Sequence, residues 1–349
     1  MKSMKWIALC VFCISSIAGA GQIKIGMTPK FTGVDYFIAC ENGAKAAAER
    51  FGIMLDWQGD PSGQESVAKQ QACIQTFIDK GYDAIILSAL DASSFAPTLR
   101  QAMAEGIKVV TFDADVVPDA RHAFVNGTTE DEMAIAMFQG FLSEQPKGGL
   151  LAIISTDPNA SNQNARIEAI MKEYNANKDE LYKEFTIYPN IIYAGNNQAE
   201  ADTKVNTLMT QETSLVGVFA LSSMAGPAAG KAARDLGKPV GSISIQTISV
   251  PVSSIEDMKS GLIKNVVLWQ PYDLGYLAVE YTADLIENRV DEETYTSTLS
   301  STHKIDDQNY AAFHDILDDN VVILGSAILF NLDNVDQFRG YPDATSGIK

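Results

Sequence analysis

The chain has 349 residues, which is long enough for two domains of ordinary size. Hydrophobic residues make up 46% of it, so a large core can be buried and global disorder is excluded. Acidic residues outnumber basic residues 44 to 26, and the formal net charge of −18 repels nucleic acid and anionic membrane surfaces. Neither is expected as a partner.

The first twenty residues are typical of an export signal. Lys2 and Lys5 form a basic start, residues 6–17 are apolar, and small residues precede a cleavage site after Ala20. No later stretch approaches the roughly 20 apolar residues that a membrane-spanning helix needs. We therefore expect the mature protein to be exported and cut after Ala20.

Strand-like and helix-like segments alternate after the signal. In the first half, the predicted strands are 22–27, 53–57, 84–88, a strand from 108, and 122–126, and the predicted helices are 36–51, 65–80 and 95–105. In the second half, the predicted strands are 150–154, 187–193, 216–220, 243–249 and 265–269, and the predicted helices are 164–174, 199–211, 227–236, 255–260 and 274–287. Short strands are predicted at 321–324 and 328–330, before a polar tail over 341–349.

This alternation predicts the fold class. A parallel strand order needs a crossover after each strand, and a helix usually supplies it, so each half forms a parallel sheet covered on both faces. The two runs therefore predict an α/β protein with two doubly wound parallel-sheet lobes. No low-complexity linker separates the lobes, which favours several short crossings over one flexible tether.

The cysteines and histidines exclude several kinds of site. Cys40 and Cys73 remain after the signal is removed; they lie on the first two helices, which we expect on opposite faces of a sheet, so no disulfide is predicted. His122, His303 and His314 are far apart, and no G-x-S-x-G motif is present. We predict no cofactor, no metal and no catalytic residue.

The stretch from Lys108 to Asp115 is the strongest pointer to a binding site. Its β-branched run reads as a buried strand that ends in an aromatic residue and the carboxylates Asp113 and Asp115. Ligands of open parallel sheets bind beyond the carboxyl ends of the strands, so Asp113 would offer acceptor oxygens to hydroxyls. The alternative is a loop Asp that caps the next turn.

Polar and aromatic residues follow other strands in the same way. Tyr36 and Phe37 open the first helix, where their rings can stack on the C–H face of a sugar or polyol, although such aromatics often only staple a helix to the core. Lys30 lies in the same loop and can donate a hydrogen bond. Trp269 and Gln270 end a strand of the second half and supply a ring and an amide.

Several motifs together resemble a known family. They are residues 28–37 (TPKFTGVDYF), 42–44 (NGA), 81–89 (GYDAIILSA), 110–115 (VTFDAD), 161–164 (SNQN), 268–269 (LW) and 328–331 (ILFN). They cover nearly the whole mature chain, and they resemble the periplasmic sugar-binding proteins of ABC importers, ribose-binding type. Within that family the chain is most similar to the autoinducer-2-binding and rhamnose-binding-like branch.

The resemblance implies a type I periplasmic binding protein, with two lobes joined by three crossings and ligand held between them. It implies an N-terminal lobe of residues 21–127 plus about 271–303, and a C-terminal lobe of residues 128–270 plus about 304–340. Lys30, Asp113 and Gln163 would bind polar groups of the ligand, and Tyr36, Phe37 and Trp269 would form walls. The protein would be a periplasmic monomer.

Two departures bear on the ligand. Where the autoinducer-2 receptor has an Asp beside the Gln, this chain has Asn162, and where that receptor has Pro-Asp-Ala, this chain has Leu221-Ser222-Ser223. A missing carboxylate removes an acceptor that discriminates between ligands. We therefore expect a sugar or related polyol, bound by a set that also includes Asn162, Ser222, Ser223, Gln270 and Asp115.

Three functions follow in order of preference. The first is capture of the sugar by hinge closure and its delivery to an ABC transporter permease. The second is an autoinducer-2 or sugar sensor that presents its ligand to a chemoreceptor or sensor kinase. The third, least favoured, is an α/β enzyme that acts on a sugar, because fold does not fix function.

Overall fold

The computed structural model describes residues 21–60, 66–144, 146–195, 197–290, 304–305, 308–309 and 316–339. The predicted export signal and the tail over 341–349 lie outside these residues, as do His303 and His314. Within the described part, no helix is both long enough and apolar enough to cross a membrane.

The strands and helices alternate for most of the chain. The strands are β1 (Lys24–Thr28), β2 (Met54–Trp57), β3 (Ala84–Leu87), β4 (Lys108–Phe112), β5 (Ala123–Asn126), β6 (Gly149–Ser155), β7 (Phe185–Ile187), β8 (Ile192–Tyr193), β9 (Leu215–Ala220), β10 (Ser244–Thr247), β11 (Val266–Leu268), β12 (Lys304–Ile305), β13 (Gln308–Asn309), β14 (Ile316–Leu317), β15 (Val321–Ile323) and β16 (Ile328–Phe330). The helices are α1 (Asp35–Phe51), α2 (Val67–Asp79), α3 (Ala96–Ala104), α4 (Glu130–Ser143), α5 (Ser161–Asn177), α6 (Gln198–Gln211), α7 (Ala225–Asp235), α8 (Ile255–Ser260) and α9 (Pro271–Ile286).

Two main sheets define two lobes. The first has the strand order β14-β15-β5-β4-β3-β1-β2, and the second has the order β16-β11-β10-β9-β6-β7, with β8 also paired to β6. The order β5-β4-β3-β1-β2 in the first sheet corresponds to β11-β10-β9-β6-β7 in the second, and all these neighbouring strands pair in parallel, as does β8 with β6. The two doubly wound parallel lobes predicted from the alternation of elements are confirmed.

The chain crosses between the lobes three times. It leaves the first sheet between β5 and α4, returns between β11 and α9, and leaves again between β15 and β16. Helix α9 belongs to the first lobe because it packs against α1, β3, β4 and β5. The three crossings expected from the resemblance are present.

The third crossing lies later in the chain than we expected. Strand β15 pairs in parallel with β5, with Val321 opposite Phe124, and β14 pairs with β15. Placing all of residues 304–340 in the C-terminal lobe is therefore wrong for β14 and β15, which extend the first sheet. Strand β16, which follows them, pairs with β11 of the second sheet.

Two local elements also differ from the sequence-based expectation. The single strand predicted over 187–193 is divided into β7 and β8, and Pro189 lies in the gap between them, where its missing N–H interrupts strand pairing. Helix α4 was not predicted. Its start is marked by Thr129, whose Oγ1 accepts a hydrogen bond from the Glu132 backbone N–H at 3.2 Å, a cap that the Thr-x-x-Glu spacing encodes.

The first lobe packs its two layers of helices on opposite faces of the sheet. Helices α1 and α9 approach closely because both have a glycine at the contact: a Cβ at Gly43 would collide with the Tyr272 carbonyl, and one at Gly275 with the Cys40 carbonyl. The two cysteines of the described chain lie in different cores. Cys40 lies in the core that contains α1 and α9, whereas Cys73 packs against the core under α2 and α3. No disulfide joins these two described cysteines.

Candidate functional site

A cavity of about 810 Å³ lies between the two lobes, beyond the carboxyl ends of strands from both sheets. Most of the predicted site residues lie in its wall. These residues are Lys30, Tyr36, Phe37, Asp113, Asn162, Gln163, Ser222, Ser223 and Trp269.

Asp113 follows β4 directly and is held in an unusual backbone conformation. Its φ of 61° lies in the left-handed region, which Asp tolerates better than most residues with a side chain. The side chain is 6% exposed, and Ser88 Oγ donates a hydrogen bond to its Oδ2 at 2.7 Å. The carboxylate is thus fixed in the cavity wall with acceptor capacity left for a ligand.

Three aromatic side chains that contact one another line the same cavity as this carboxylate. Trp269 Nε1 donates a hydrogen bond to the Tyr36 hydroxyl at 3.1 Å. Burial, and secondly the nearby Asp113 charge, raise the pKa of Tyr36, so the hydroxyl keeps its proton and can donate a hydrogen bond to a ligand. The rings of Tyr36 and Phe37 meet edge to face, and Tyr36 meets Trp269 in the same way.

Lys30 reaches across the cleft. Its Nζ donates a hydrogen bond to Asn162 Oδ1 at 3.0 Å, which links the loop after β1 to helix α5 of the other lobe. Burial lowers the pKa of Lys30 to about 8; Asp113 opposes this shift and Arg166 adds to it. The ammonium group retains donor capacity beyond its bond to Asn162.

Gln163, in the first turn of α5, has its amide orientation fixed. Its Oε1 accepts hydrogen bonds from Ser155 Oγ and from the Thr156 backbone N–H, both at 2.7 Å. Its Nε2 has no acceptor among the described residues. The two N–H groups are therefore the part of the side chain that is available to a ligand.

Arg166 also lines the cavity, and we did not predict it from the sequence. It is 4% exposed, its guanidinium lies 5.4 Å from the centroid of the Trp269 ring, and its Nε lies 3.4 Å from Glu130 Oε2. Burial raises the pKa of Glu130, whereas the Arg166 charge lowers it. Arg166 follows Asn162 by four residues and Gln163 by three on the same helix. This spacing was the sequence signal that could have placed Arg166 beside these two predicted site residues.

Asp115 does not line the cavity, which corrects its predicted role. Its carboxylate is occupied by Arg121, with Nε to Oδ1 and Nη2 to Oδ2 both at 2.8 Å, and by Thr111 Oγ1 and the Val116 N–H. Arg121 Nη1 also donates to the Asp319 carbonyl, beside β15. Asp115 thereby fastens the outer strands of the first sheet.

Gln270 lies outside the cavity as well. Its Nε2 donates to the Gln337 carbonyl at 2.8 Å, and its Oε1 accepts from the Arg339 N–H at 3.0 Å. Because both ends of the amide are used by the backbone, the side chain anchors the C-terminal segment at the start of α9. Its predicted ligand-binding role is therefore wrong.

Among the described residues, no cluster of His, Cys, Asp or Glu could hold a metal ion. The donors and acceptors of the cavity are instead the carboxylates of Asp35, Asp91, Asp113 and Asp157, one ammonium, one guanidinium, amides and hydroxyls, beside aromatic rings. Such a set binds a small molecule that carries several hydroxyl groups.

Comparison with known proteins identifies the family. The periplasmic binding protein domain matches residues 25–289, so the chain belongs to the periplasmic binding protein family. The ribose import binding protein RbsB of Bacillus subtilis is 23% identical over 283 residues, which cover 80% of this chain and 86% of that protein.

Solved structures show the same fold. An ABC transporter solute-binding protein from Clostridium phytofermentas with bound L-rhamnose superposes with a TM-score of 0.79, at 22% identity, covering 92% of this chain and 99% of that one. LsrB from Clostridium saccharobutylicum, in complex with AI-2, gives a TM-score of 0.78 at 19% identity and covers 91% of this chain and 100% of that one. The fold is that of type I periplasmic binding proteins.

Proposed function

We propose that the protein captures a sugar or related small polyol between its lobes and delivers it to the permease of an ABC importer. The observation that carries this proposal is the buried set of Lys30, Asp113 and Gln163 in the wall of one interlobe cavity. Membership of the periplasmic binding protein family supports it, as does the sugar named for the Bacillus subtilis relative.

Each group has a defined part in binding. Asp113 accepts hydrogen bonds from ligand hydroxyls, while Lys30, Arg166 and the Gln163 amide donate to hydroxyl or ring oxygens. The Tyr36, Phe37 and Trp269 rings cover the C–H faces of the ligand, and Asn162, Ser222 and Ser223 add polar contacts at the cavity wall. Binding needs no catalytic group, and we propose that the protein is not an enzyme.

Hinge closure is the mechanism that fits the three crossings. The lobes already touch across the cavity, through the bond of Lys30 to Asn162 and through Ser253 Oγ, which donates to Asp35 Oδ2 at 3.3 Å. A ligand that bonds to both lobes favours the closed arrangement by its additional contacts there. The closed form then presents a surface that the permease recognises.

Membership of the periplasmic binding protein family supports a site of action outside the cytoplasmic membrane. We propose that residues 1–20 direct export and are removed after Ala20, and that the mature protein is a monomer. Mass spectrometry of the exported protein would give Gly21 as the first residue; a retained leader would contradict the proposed cleavage.

A thermal-shift screen against sugars, polyols and autoinducer-2 tests the binding function. A ligand at one hundred times its Kd raises the free energy of unfolding by about 2.7 kcal/mol, so a true ligand gives a clear increase in Tm. Calorimetry then measures the Kd of each hit. Conversion of any bound sugar to product by the purified protein would contradict the proposal and favour an enzyme.

The partner requires a separate experiment. The ligand-loaded protein should stimulate ATP hydrolysis by its ABC transporter in proteoliposomes, whereas the ligand alone should not. Stimulation of a chemoreceptor or sensor kinase without any effect on a transporter would instead favour the sensor alternative.

A further inference from the structure

The three crossings between the lobes meet at Gly127. This buried residue begins the first crossing, between β5 and α4. Its carbonyl accepts a hydrogen bond from the Gly325 N–H at 3.2 Å, which joins it to the third crossing. Its Cα faces the indole ring of Trp269, the first residue of the second crossing, because a Cβ built on Gly127 would collide with that ring. One backbone position therefore contacts both other crossings.

The indole explains why this position is a glycine. The φ of Gly127 is not positive, so residues other than glycine can adopt its backbone conformation. A side chain lacks only room, because the Cβ of an alanine would overlap the Trp269 ring. Trp269 is 1% exposed, so the ring cannot turn into solvent to make space without repacking its surroundings. The glycine is thus required by the indole.

Trp269 also contacts both lobes. Its Nε1 donates a hydrogen bond to the hydroxyl of Tyr36, which lies on α1 of the first lobe. Arg166, on α5 of the second lobe, places its guanidinium 5.4 Å from the centroid of the ring. The same ring lines the cavity between the lobes. One side chain therefore contacts the crossings, both lobes and the space that a ligand enters.

These contacts depend on the angle between the lobes. Tyr36 and Arg166 move with different lobes, whereas the crossings are the segments whose backbone dihedral angles absorb a hinge rotation. A wider angle separates Tyr36 from Arg166, so the indole keeps both contacts only when the lobes are close. The structure has this arrangement, because hydrogen bonds already join the two lobes across the cavity.

We propose that Trp269 is a positioning residue for lobe closure: its indole, packed on Gly127, stabilises the closed arrangement and links the ligand cavity to the crossings. The inference rests on the proposed sugar-binding function and names the contact through which binding acts on the hinge. A sugar that packs on the ring adds contacts that exist only in the closed form, and it therefore favours that form.

Small-angle X-ray scattering of the ligand-free mature protein tests the contact without any sugar. Gly127→Ala adds the Cβ that the indole excludes, so it should disfavour the closed arrangement and increase the radius of gyration. Gly26→Ala is the matched control, because its Cβ would meet the Phe77 ring in the first lobe and neither residue lines the cavity. It should lower the free energy of unfolding and leave the radius of gyration unchanged.

Calorimetry gives a second measurement. The parent protein and both variants are titrated with D-ribose, L-rhamnose and D-arabinose. For each sugar that binds, Gly127→Ala should raise the Kd about tenfold, because the apparent affinity falls with the fraction of protein in the competent closed form. Gly26→Ala should keep the Kd of the parent protein, since its overpacked site is the same in both arrangements of the lobes.

A double variant assigns the effect to the indole. Trp269→Ala removes the ring and should by itself increase the radius of gyration of the ligand-free protein. In that background Gly127→Ala has room for its Cβ and should cause no further increase, so the two effects are not additive. If Gly127→Ala alone does not fold, Trp269→Ala alone supplies the test.

The outcomes separate the inference from the proposed function. An unchanged radius of gyration in Gly127→Ala, or in Trp269→Ala where that variant is the test, would overturn the inference, and so would an equal increase in Gly26→Ala. A sugar that binds Gly127→Ala with the Kd of the parent protein would also overturn it and leave the sugar-binding function standing. If the radius responds as expected but none of the three sugars binds, the hinge role is supported and the proposed function fails for these sugars.

Discussion

In the N-terminal lobe, the loops that follow β1 and β4 bring Lys30 and Asp113 to the cavity, whereas β9, β10 and β11 of the C-terminal lobe end there in Leu221, Ile248 and Leu268. The polar groups of the C-terminal lobe come from helix α5 and from residues that follow its strands, such as Asp157 after β6 and Ser222 and Ser223 after β9. Both lobes have the same order of parallel strands, so the architecture decides where strand ends meet and the residue at each end decides what they bind.

A second comparison lies within the first lobe, between carboxylates two residues apart. Asp113 is in the cavity wall, while Asp115 is paired with Arg121, whose side chain is only 2% exposed. Asp115→Ala leaves that guanidinium without its carboxylate, and we expect a loss of about 3–5 kcal/mol in the free energy of unfolding. Urea denaturation measures it.

Measurements of ligand affinity distinguish the structural role of Asp115 from the ligand-binding role of Asp113. At a temperature where the variant is folded, Asp115→Ala should retain the affinity of the parent protein for the sugar found in the screen. A variant with unchanged unfolding free energy and abolished binding would reverse our placement of this residue.

The next largest effect is expected at Asp113. Asp113→Ala removes a charged acceptor and should weaken sugar binding by about 1.5–3 kcal/mol, which is about ten- to 150-fold in Kd. Asp113→Asn serves as the matched variant, because Asn tolerates the left-handed backbone and retains one acceptor oxygen. Near-normal affinity in both variants, measured by calorimetry, would disprove the site.

In the C-terminal lobe, the corresponding test is Arg166→Gln. The change removes a charged donor and the contact with the Trp269 ring, and we expect about tenfold weaker binding, or about 1.4 kcal/mol. Lys172→Gln is the control on the same helix, because Lys172 is exposed and pairs with Asp131. Equal Kd values for the two variants would limit Arg166 to a structural role beside Glu130.

The smallest effect concerns pH and the bond between the lobes. With a pKa of about 8 instead of 10.5, native Lys30 holds its proton less strongly than the unfolded chain does. Its contribution to the free energy of unfolding therefore rises with pH between about 8 and 10.5, because the unfolded state binds more protons there. Ligand affinity changes in the opposite direction, because the ammonium donor is lost.

We expect binding to be about fourfold weaker at about pH 8.5 than at about pH 7, from the protonated fraction of a group with a pKa of about 8. Lys30→Met should bind more weakly and lose this pH dependence. A fourfold change that persists in Lys30→Met would assign the titration to another group.

The prediction of the fold depended on local patterns and failed where pairing is distant in sequence. The alternation of apolar strands and helices around Val110 or Ile153 is local, because each segment must bury an apolar face whatever its neighbours are. The assignment of β15 to the first sheet depends on a partner about 200 residues away. Nothing near Val321 in the chain indicates which of two similar sheets it joins.

The predictions for the candidate site also succeeded where the information is local and failed where it depends on distant parts of the chain. The α/β class, the two lobes and the strand end that carries Asp113 could be predicted, because periodicity and turn residues encode them locally. The bonds of Asp115 to Arg121 and of Gln270 to the C-terminal backbone could not be predicted, and neither could the position of Arg166 in the cavity wall. A side chain's partners depend on elements that meet only after folding, and the cavity between the lobes exists only then.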